Sequence, residues 1–541
     1  MIRVLRHMLS LLICSWIGIP IAAATEIAAS DTIAIICLND FHGGFVQDKS
    51  LGIPGAGNVY TVVKRLKNRY PHNITIAVGD NFGGSFFSNQ TEGKLVPYFF
   101  NKLGIEISAI GNHEFDNGQS FLAKKWEDNK PNGWNITYIC SNVKDTRTNL
   151  KPEYTVSDTL CKMDIGGNTV KIRMLGLISA EAGSSTKAEN VTGLKFSNQY
   201  NCILDSLCKK YNKDDLQVLV AHIGTKMNGN NPMWMENIAR LPKSIKGIAS
   251  GHSHKRVVGR IDNVPVVQGE INGKEIGVLR FIKQKKGLWQ AIDPLLIEVG
   301  NERDMSKERA EIDSVITSNL EQATAPGNGM TCNIARVAKG GLKHDRNQNS
   351  NELTALGSYV CMSYAWAYRK HTNKEDMRNV VLAFSHFGGI RRSLPEGPID
   401  IQAAGEVLPF ANELRVYELT GKEIRKIIEA GIENKKGQLQ MNNIVADTVR
   451  YENRCRVVNV HYVVPGKQDI ILSDSEIYPV IVDEFVTTGG DGYSPSLFPQ
   501  KKRRNNIKGL RTTPSFLNFL WTIDKEMCEN YIYKGKMRKA L

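Results

Sequence analysis

From residue 31 to about 297 the chain alternates short unbroken apolar runs with amphipathic stretches. The runs Thr32–Leu38, Ile74–Val78, Ile107–Ile110, Val170–Leu177, Gln217–Ala221, Ile245–Ala249 and Val264–Gln268 are rich in Val and Ile, as strands buried on both faces are. Between the first two, Val59–Asn68 sets Val62, Val63 and Leu66 on one helical face. Strands alternating with helices predict stacked βα units. Residues 298–326 turn charged and end in Ala325-Pro326-Gly327, while Ile312, Val315, Ile316 and Leu320 recur at helical spacing. That pattern predicts a linker helix within 298–330. Residues 331–541 read as a second α/β region. It has a helix near 353–369, a strand at 379–384 and a helix opening at the capping-box pattern Thr420–Glu423. Strands follow near 456–464 and 477–482, and a last helix begins after Pro514.

With 41% hydrophobic and 23% charged residues over 541 positions, the composition is that of a globular chain of about two to four domains. Arg3 and Arg6, the apolar stretch 8–21 and Ala22-Ala23-Ala24 have the shape of a signal peptide over residues 1–24. The mature chain is therefore expected to be secreted or periplasmic, with no integral membrane segment after cleavage. The ten cysteines show no zinc-finger or C-x-x-C spacing, and an exported chain can form disulfides; their pairing stays open. The formal charge is +14, yet the one dense run, Lys501-Lys502-Arg503-Arg504, has no interleaved aromatics. It reads as a solvated loop, and no nucleic acid is expected as a partner.

Chemistry-bearing residues recur directly after the predicted strands: Asn39-Asp40-Phe41-His42, Gly79-Asp80, Gly111-Asn112-His113-Glu114-Phe115-Asp116, His222, and Gly251-His252-Ser253-His254. Five of the eleven histidines sit in these segments. In an extended segment Asp40 and His42, two apart, would point to one side. The carboxyl ends of parallel strands share one edge, where ligands bind, so distant residues would gather there. Imidazole, carboxylate and amide oxygen together suit a pair of divalent ions such as zinc or manganese, and such a pair implies two-metal hydrolysis at phosphorus.

Taken together, these segments resemble the calcineurin-like metallophosphatase superfamily. Within it, Asn112–Gly118 resembles the 5′-nucleotidase family, which also includes UDP-sugar hydrolases, 2′,3′-cyclic phosphodiesterases and secreted apyrases. The resemblance implies an N-terminal four-layer α/β sandwich over 31–297 and a C-terminal α/β substrate domain over 331–541. It implies that Asp40, His42, Asp80 and His254 hold one ion and that Asp80, Asn112, His222 and His252 hold the other. It also implies that His113, oriented by Asp116, faces the phosphate. His254 stands where the family often has Gln or Asn.

In the second half, Phe384–Arg391 resembles the family's Asn-Gly-Gly-Gly-Ile-Arg loop, with Arg391 implied to bind phosphate or carboxyl-like oxygens bidentately. His386 replaces the usual asparagine, and Phe387 a glycine. Val407–Phe410 and Phe485–Asp491 match segments whose aromatics sandwich a nucleobase, making Phe410 and Phe485 the implied stacking pair and Asp491 the ribose acceptor. Gly489-Gly490 suggests close backbone approach at this site. Before Leu356-Gly357-Ser358 the chain has Arg346 and Glu352, a poor match to the family's Arg/Glu region, so no second phosphate-side arginine is assigned there. The expected activity is hydrolysis of nucleoside 5′-monophosphates to nucleoside and phosphate. Nucleoside di- or triphosphates, UDP-sugars and 2′,3′-cyclic nucleotides are enzymatic alternatives, and a non-catalytic nucleotide-binding surface protein is the alternative of another class.

Overall fold

The computed structural model describes residues 32–523, 527 and 536–539, apart from residues 50, 92, 129–135, 285–287, 324–332, 345–351, 373–379, 452–453, 465 and 506. The expected signal peptide, Arg346 and the end of the expected linker fall outside the described residues. The first half is built on Thr32–Leu38 (β1), Ala56–Arg69 (α1), His72–Ala77 (β2), Ile105–Ala109 (β3), Asn168–Ile178 (β4), Leu216–His222 (β5), Ile245–Ser250 (β6) and Glu275–Lys283 (β7).

These strands form two stacked sheets. One runs 289–291, β7, β1, β2, β3, 137–139; the other runs 257–261, 264–268, β6, β5, β4, 158–165. Every residue of β1 is buried, and its alternation decides which core each one joins. Ile33, Ile35 and Cys37 face the second sheet's Ile172, Met174, Val218 and Val220. Ala34, Ile36 and Leu38 pack with Val59, Val62 and Val63 of α1. With helix 200–210 covering β4 and β5 through Tyr200 and Leu204, the order of layers is helix, sheet, sheet, helix. This is why β1 reads as an unbroken apolar run: both of its faces are covered.

β7 is absent from the strand pattern because Glu275, Arg280 and Lys283 interrupt it, yet it pairs antiparallel with β1 along the sheet's length. The stripe Ile312/Ile316 lies on Lys307–Ala323 (α2), where both residues are buried in the same core as α1. Arg309 Nη1 donates to Asn58 Oδ1 at 3.2 Å and Thr61 Oγ1 at 3.1 Å, so α2 is docked on α1 and does not hang between the halves.

The second half carries Ala355–His371 (α3), Leu382–Ser385 (β8), Leu414–Thr420 (β9), Gly421–Glu433 (α4), Ile477–Asp483 (β10) and Thr512–Leu520 (α5). Its central sheet runs β9, β10, β8, 440–441, with β8 parallel to β10. The capping box is formed in full: Glu423 N donates to Thr420 Oγ1 and Thr420 N to Glu423 Oε2. The last helix opens at Thr512, ahead of Pro514, since proline is tolerated in a first turn. The basic run is not simply solvated: Lys502 pairs with Glu423 at 2.6 Å, Arg503 with Glu413 at 3.1 Å and Arg504 with Glu418 at 3.3 Å. The seven described cysteines are all unpaired. No helix among the described residues is long and apolar enough to cross a membrane.

The halves meet along two polar seams. On one side Arg392 pairs with Asp48, Phe86 N donates to Glu406 Oε1 at 2.9 Å and Asn89 Nδ2 to Pro409 O at 2.8 Å. On the other side Lys436 pairs with Glu181 at 2.7 Å and Lys187 with Glu484 at 3.6 Å. Burial pushes the Glu406 carboxyl up to about 7, against the pull of Arg392 and the Phe86 N–H. A carboxyl that holds its proton more tightly folded than unfolded stabilises the fold fully below its unfolded value near 4. That contribution is lost as pH rises through 7. Glu406→Gln, which keeps an acceptor for Phe86 N–H, is therefore expected to raise the melting temperature at pH 8 and to change it little at pH 4.5. Equal shifts at both pH values in a thermal scan would contradict the assignment.

Candidate active site

The metal-ligand candidates converge at the carboxyl ends of β1, β2, β3, β5 and β6. They do not converge in extended conformation. Asp40 and His42 both have φ of 47°, Asp80 52°, His252 79° and His254 56°, in the left-handed region that non-glycine residues seldom occupy. The two-apart argument for Asp40 and His42 is thereby corrected: each strand end curls over, and the curl aims the side chains inward. Backbone bonds hold the curls together, Asp40 N to Gly79 O at 3.2 Å, His42 N to Asp80 O at 2.9 Å and Gly43 N to Asn81 O at 3.1 Å. Gly79 (φ 89°) lies so close to the next loop that a Cβ there would sit 2.7 Å from Gly111 N and 2.8 Å from His222 Nδ1.

Two ligand sets result, Asp40/His42/Asp80/His254 and Asp80/His222/His252, each with its candidate atoms within 4.8 Å of one another. His42 Nε2 and His254 Nε2 are 3.1 Å apart; His254 Nε2 is 3.5 Å from Asp40 Oδ1, and His42 Nε2 is 3.7 Å from Asp80 Oδ2. Asp80 Oδ2 also lies 3.1 Å from His222 Nε2, making Asp80 the shared member. Asn112 Oδ1 is buried with no hydrogen-bond partner among the described residues, while its Nδ2 donates to Ser185 O at 3.4 Å. Ligands about 2.0–2.2 Å from one cation lie about 3 Å from each other, so this donor set fits two divalent ions.

The cluster balances its own charge, with His222 holding a proton that a cation at its Nε2 would displace. Burial opposes charge on Asp80, but His222, His113 and His42 outweigh it and hold the carboxyl well below its usual range. His222 is raised to about 10 against its burial, by Asp80 and Asp40. Burial, reinforced by His222, pushes His252 down to about 3, and burial lowers His42 well below its ordinary value. His42 and His252 are thus neutral imidazoles, the form that ligates a cation.

His113 stands beside this cluster. Its N–H donates to Asp80 Oδ1 at 2.8 Å, and its Nδ1 lies 2.7 Å from Asp116 Oδ2. Burial disfavours its proton, but Asp116 and Asp80 prevail and raise its pKa. Glu114, for which the sequence suggested no role, accepts N–H bonds from Asp80 at 2.8 Å, Asn81 at 2.7 Å and Gly111 at 2.6 Å. Asn39 likewise donates to Asp40 Oδ2 at 2.8 Å and ties that loop to Gly269.

The second half closes over the cluster. A cavity of about 510 Å³ is lined by Asp80, Asn112, His113, Asp116, His252 and His254 from the first half, and by His386, Arg391, Phe410, Phe485 and Asp491 from the second. The Phe410 ring lies parallel to His113 at 5.4 Å, with the Arg391 guanidinium 5.4 Å over it. Phe485 lies 4.7 Å from His386, whose Nδ1 is 2.8 Å from the buried Asp483 Oδ2. Phe387 turns away from the cavity and packs 4.3 Å from His344. The close approach signalled by Gly490 is to the Phe485 ring itself, which a Cβ there would meet at 2.5 Å.

Residues 33–256 match the calcineurin-like phosphoesterase family and residues 333–497 the 5′-nucleotidase C-terminal domain family. Between them the two matches span well over half of the chain. The chain belongs to the 5′-nucleotidase family. Its first half is a calcineurin-like phosphoesterase domain and its second a 5′-nucleotidase C-terminal domain. It is 23% identical over 521 residues to 5′-nucleotidase from Bos taurus, covering 85% of this chain and 84% of that one. It is 24% identical over 428 residues to the endonuclease YhcR from Bacillus subtilis, of whose length it spans only 33%. The crystal structure of a 5′-nucleotidase precursor from Thermus thermophilus superposes with a TM-score of 0.74 at 23% identity, covering 94% of this chain and 99% of that one. This last likeness concerns the fold alone.

Beyond the expected residues, this 5′-nucleotidase-family site enlists Glu114, Asn39, Asp483, Lys436 and Lys187. Asp483 ends β10 at the same sheet edge where His386 follows β8, so the rule that found the histidines reaches it too. Lys436 and Lys187 come from loops and carry no such signal. Removing Glu114 strips three buried N–H groups of their acceptor, each costing about 1–3 kcal/mol. Glu114→Ala is expected to lose at least half of the bound divalent ion by elemental analysis, with Glu114→Gln intermediate. Full metal content in the alanine variant would show the loops hold themselves.

Proposed function

We propose that this member of the 5′-nucleotidase family is exported and hydrolyses nucleoside 5′-monophosphates to nucleoside and inorganic phosphate, using two divalent ions, zinc or manganese. The observation that carries the reading is that one cavity holds both the imidazole–carboxylate cluster and the two phenylalanines. The apolar run at residues 8–21 after Arg3 and Arg6 supports export.

Asp40, His42, Asp80 and His254 would hold one ion, and Asp80, Asn112, His222 and His252 the other. Such a pair, when bound, supplies Lewis-acid polarisation of the phosphoryl oxygens and an activated water. Arg391, with a buried Nη2 that has no acceptor among the described residues, presents a guanidinium to the phosphate. His113, whose proton Asp116 and Asp80 stabilise, would give a proton or a hydrogen bond to the departing ribose oxygen. Phe410 and Phe485 hold the base, Asp491 accepts from the ribose hydroxyls, and His386, held by Asp483, offers its Nε2 to the nucleoside.

Phosphate release from AMP, UMP, ADP, ATP, UDP-glucose and 2′,3′-cyclic AMP by metal-loaded protein tests the assignment. Monophosphates are expected to give the highest kcat/KM, and chelation to abolish turnover. No release from either monophosphate would refute the substrate. Stacking is worth about 1–3 kcal/mol per base, so Phe410→Ala is expected to raise KM for AMP roughly 5- to 150-fold. The same change should leave p-nitrophenyl phosphate nearly unaffected; equal losses on both substrates would remove Phe410 from base recognition.

A further inference from the structure

A second cavity, of about 950 Å³, opens between the halves. His254 and Arg391 line both cavities, so the second begins at the metal-ligand cluster. It contains neither Phe410 nor Phe485. Its walls mix apolar side chains with the charged and polar Asp48, Lys274, Lys343, His344, Arg392 and Glu406.

Arg392 is 8% exposed. One end of its guanidinium pairs with Asp48 across the seam, but its Nε is buried without an acceptor among the described residues. Arg391, the preceding residue, is in the same condition: its Nη1 makes a 3.4 Å contact with Gly388 O, and its Nη2 has no acceptor among the described residues. A buried donor left unmade is expensive, and for a charged group more so. Two such donors on consecutive arginines call for an acceptor that is itself charged. The planar guanidinium fork matches phosphate oxygens. Asp48, Glu270 and Glu406, three of the four carboxylates on the cavity wall, are already engaged. Asp48 is engaged by Arg392, Glu270 lies 3.7 Å from Lys274, and Glu406 accepts from Phe86 N. Lys343 is exposed on the wall and adds positive charge.

We propose that this cavity is a second oxyanion subsite, in which Arg392 holds a phosphate group distinct from the one at the metal-ligand cluster, with Arg391 reaching between them. The proposal rests on the reading of that cluster as a phosphoryl-transfer centre. The phosphate has two possible sources, a second phosphoryl group of the substrate or the inorganic phosphate product on its way out.

The test uses the full, metal-loaded chain and the paired variant Asp48→Asn/Arg392→Met, which removes the guanidinium together with its counter-charge. Hydrolysis of AMP, ADP and p-nitrophenyl phosphate is followed with inorganic phosphate and pyrophosphate as inhibitors. Pyrophosphate inhibition is expected to weaken about tenfold or more, as for loss of a charge-assisted bond, while kcat/KM for p-nitrophenyl phosphate stays within about twofold. If the substrate supplies the phosphate, kcat/KM for ADP falls about tenfold relative to AMP. If the product supplies it, that ratio stands and inhibition by inorganic phosphate weakens about tenfold instead. Unchanged inhibition by both anions together with an unchanged ADP-to-AMP ratio overturns the subsite. Should the paired variant misfold, Arg392→Lys, which replaces the fork by a point charge, is expected to weaken pyrophosphate inhibition about threefold, and no weakening overturns the subsite equally. If no nucleotide is turned over, the substrate assignment fails, but pyrophosphate inhibition of p-nitrophenyl phosphate hydrolysis still decides this site.

Discussion

Asp80 is the carboxylate on which the site is organised. One oxygen faces His222 at 3.1 Å and His42 at 3.7 Å, and the other accepts the His113 N–H. A buried carboxylate among imidazoles is sustained only if its charge is matched; here His222 carries the matching proton, which a cation at its Nε2 would displace, while His42 and His252 are held neutral. The left-handed backbone at five of the proposed ligands stores strain of order 1 kcal/mol or more each. The stacked sheets below and Glu114 beside them compensate it, the latter by fixing the two glycine-rich loops with three short bonds.

The same structural rule operates in both halves. β8 and β10 run parallel, and the loops at their carboxyl ends carry His386–Arg391 and Asp483–Asp491. The first half supplies a cluster of imidazoles and carboxylates and the second supplies aromatic and cationic groups. The two sets of strand ends meet at one cavity, beside which Phe86 and Asn89 bond to Glu406 and Pro409, Asp48 to Arg392, and Glu181 to Lys436. The active-site geometry therefore belongs to the arrangement of the halves as much as to either alone, and the second cavity arises from the same seam.

Much of this was legible in the linear chain. A strand covered on both faces must be apolar throughout, so β1, β5 and β6 declared themselves, and chemistry placed directly after such strands announces the shared edge. Asp40, His42, Asp80, His113, His222, His252 and His254 could be gathered on that ground, and periodicity placed the stripe of α2. Strands such as β7, broken by charged residues, could not be read, because their pattern makes sense only beside the partner that covers them.

What only the tertiary structure decided were relations with no sequence period. Backbone curvature, not extension, brings Asp40 and His42 together. Phe387 faces the core while His386 faces the cavity, because Asp483 on a distant strand anchors the imidazole. Glu114 and Arg392 acquire their parts from groups tens to hundreds of residues away. Local sequence sets the faces and caps of elements through short-range sterics and burial; which unpaired donor meets which acceptor across a seam is settled only when the chain has folded.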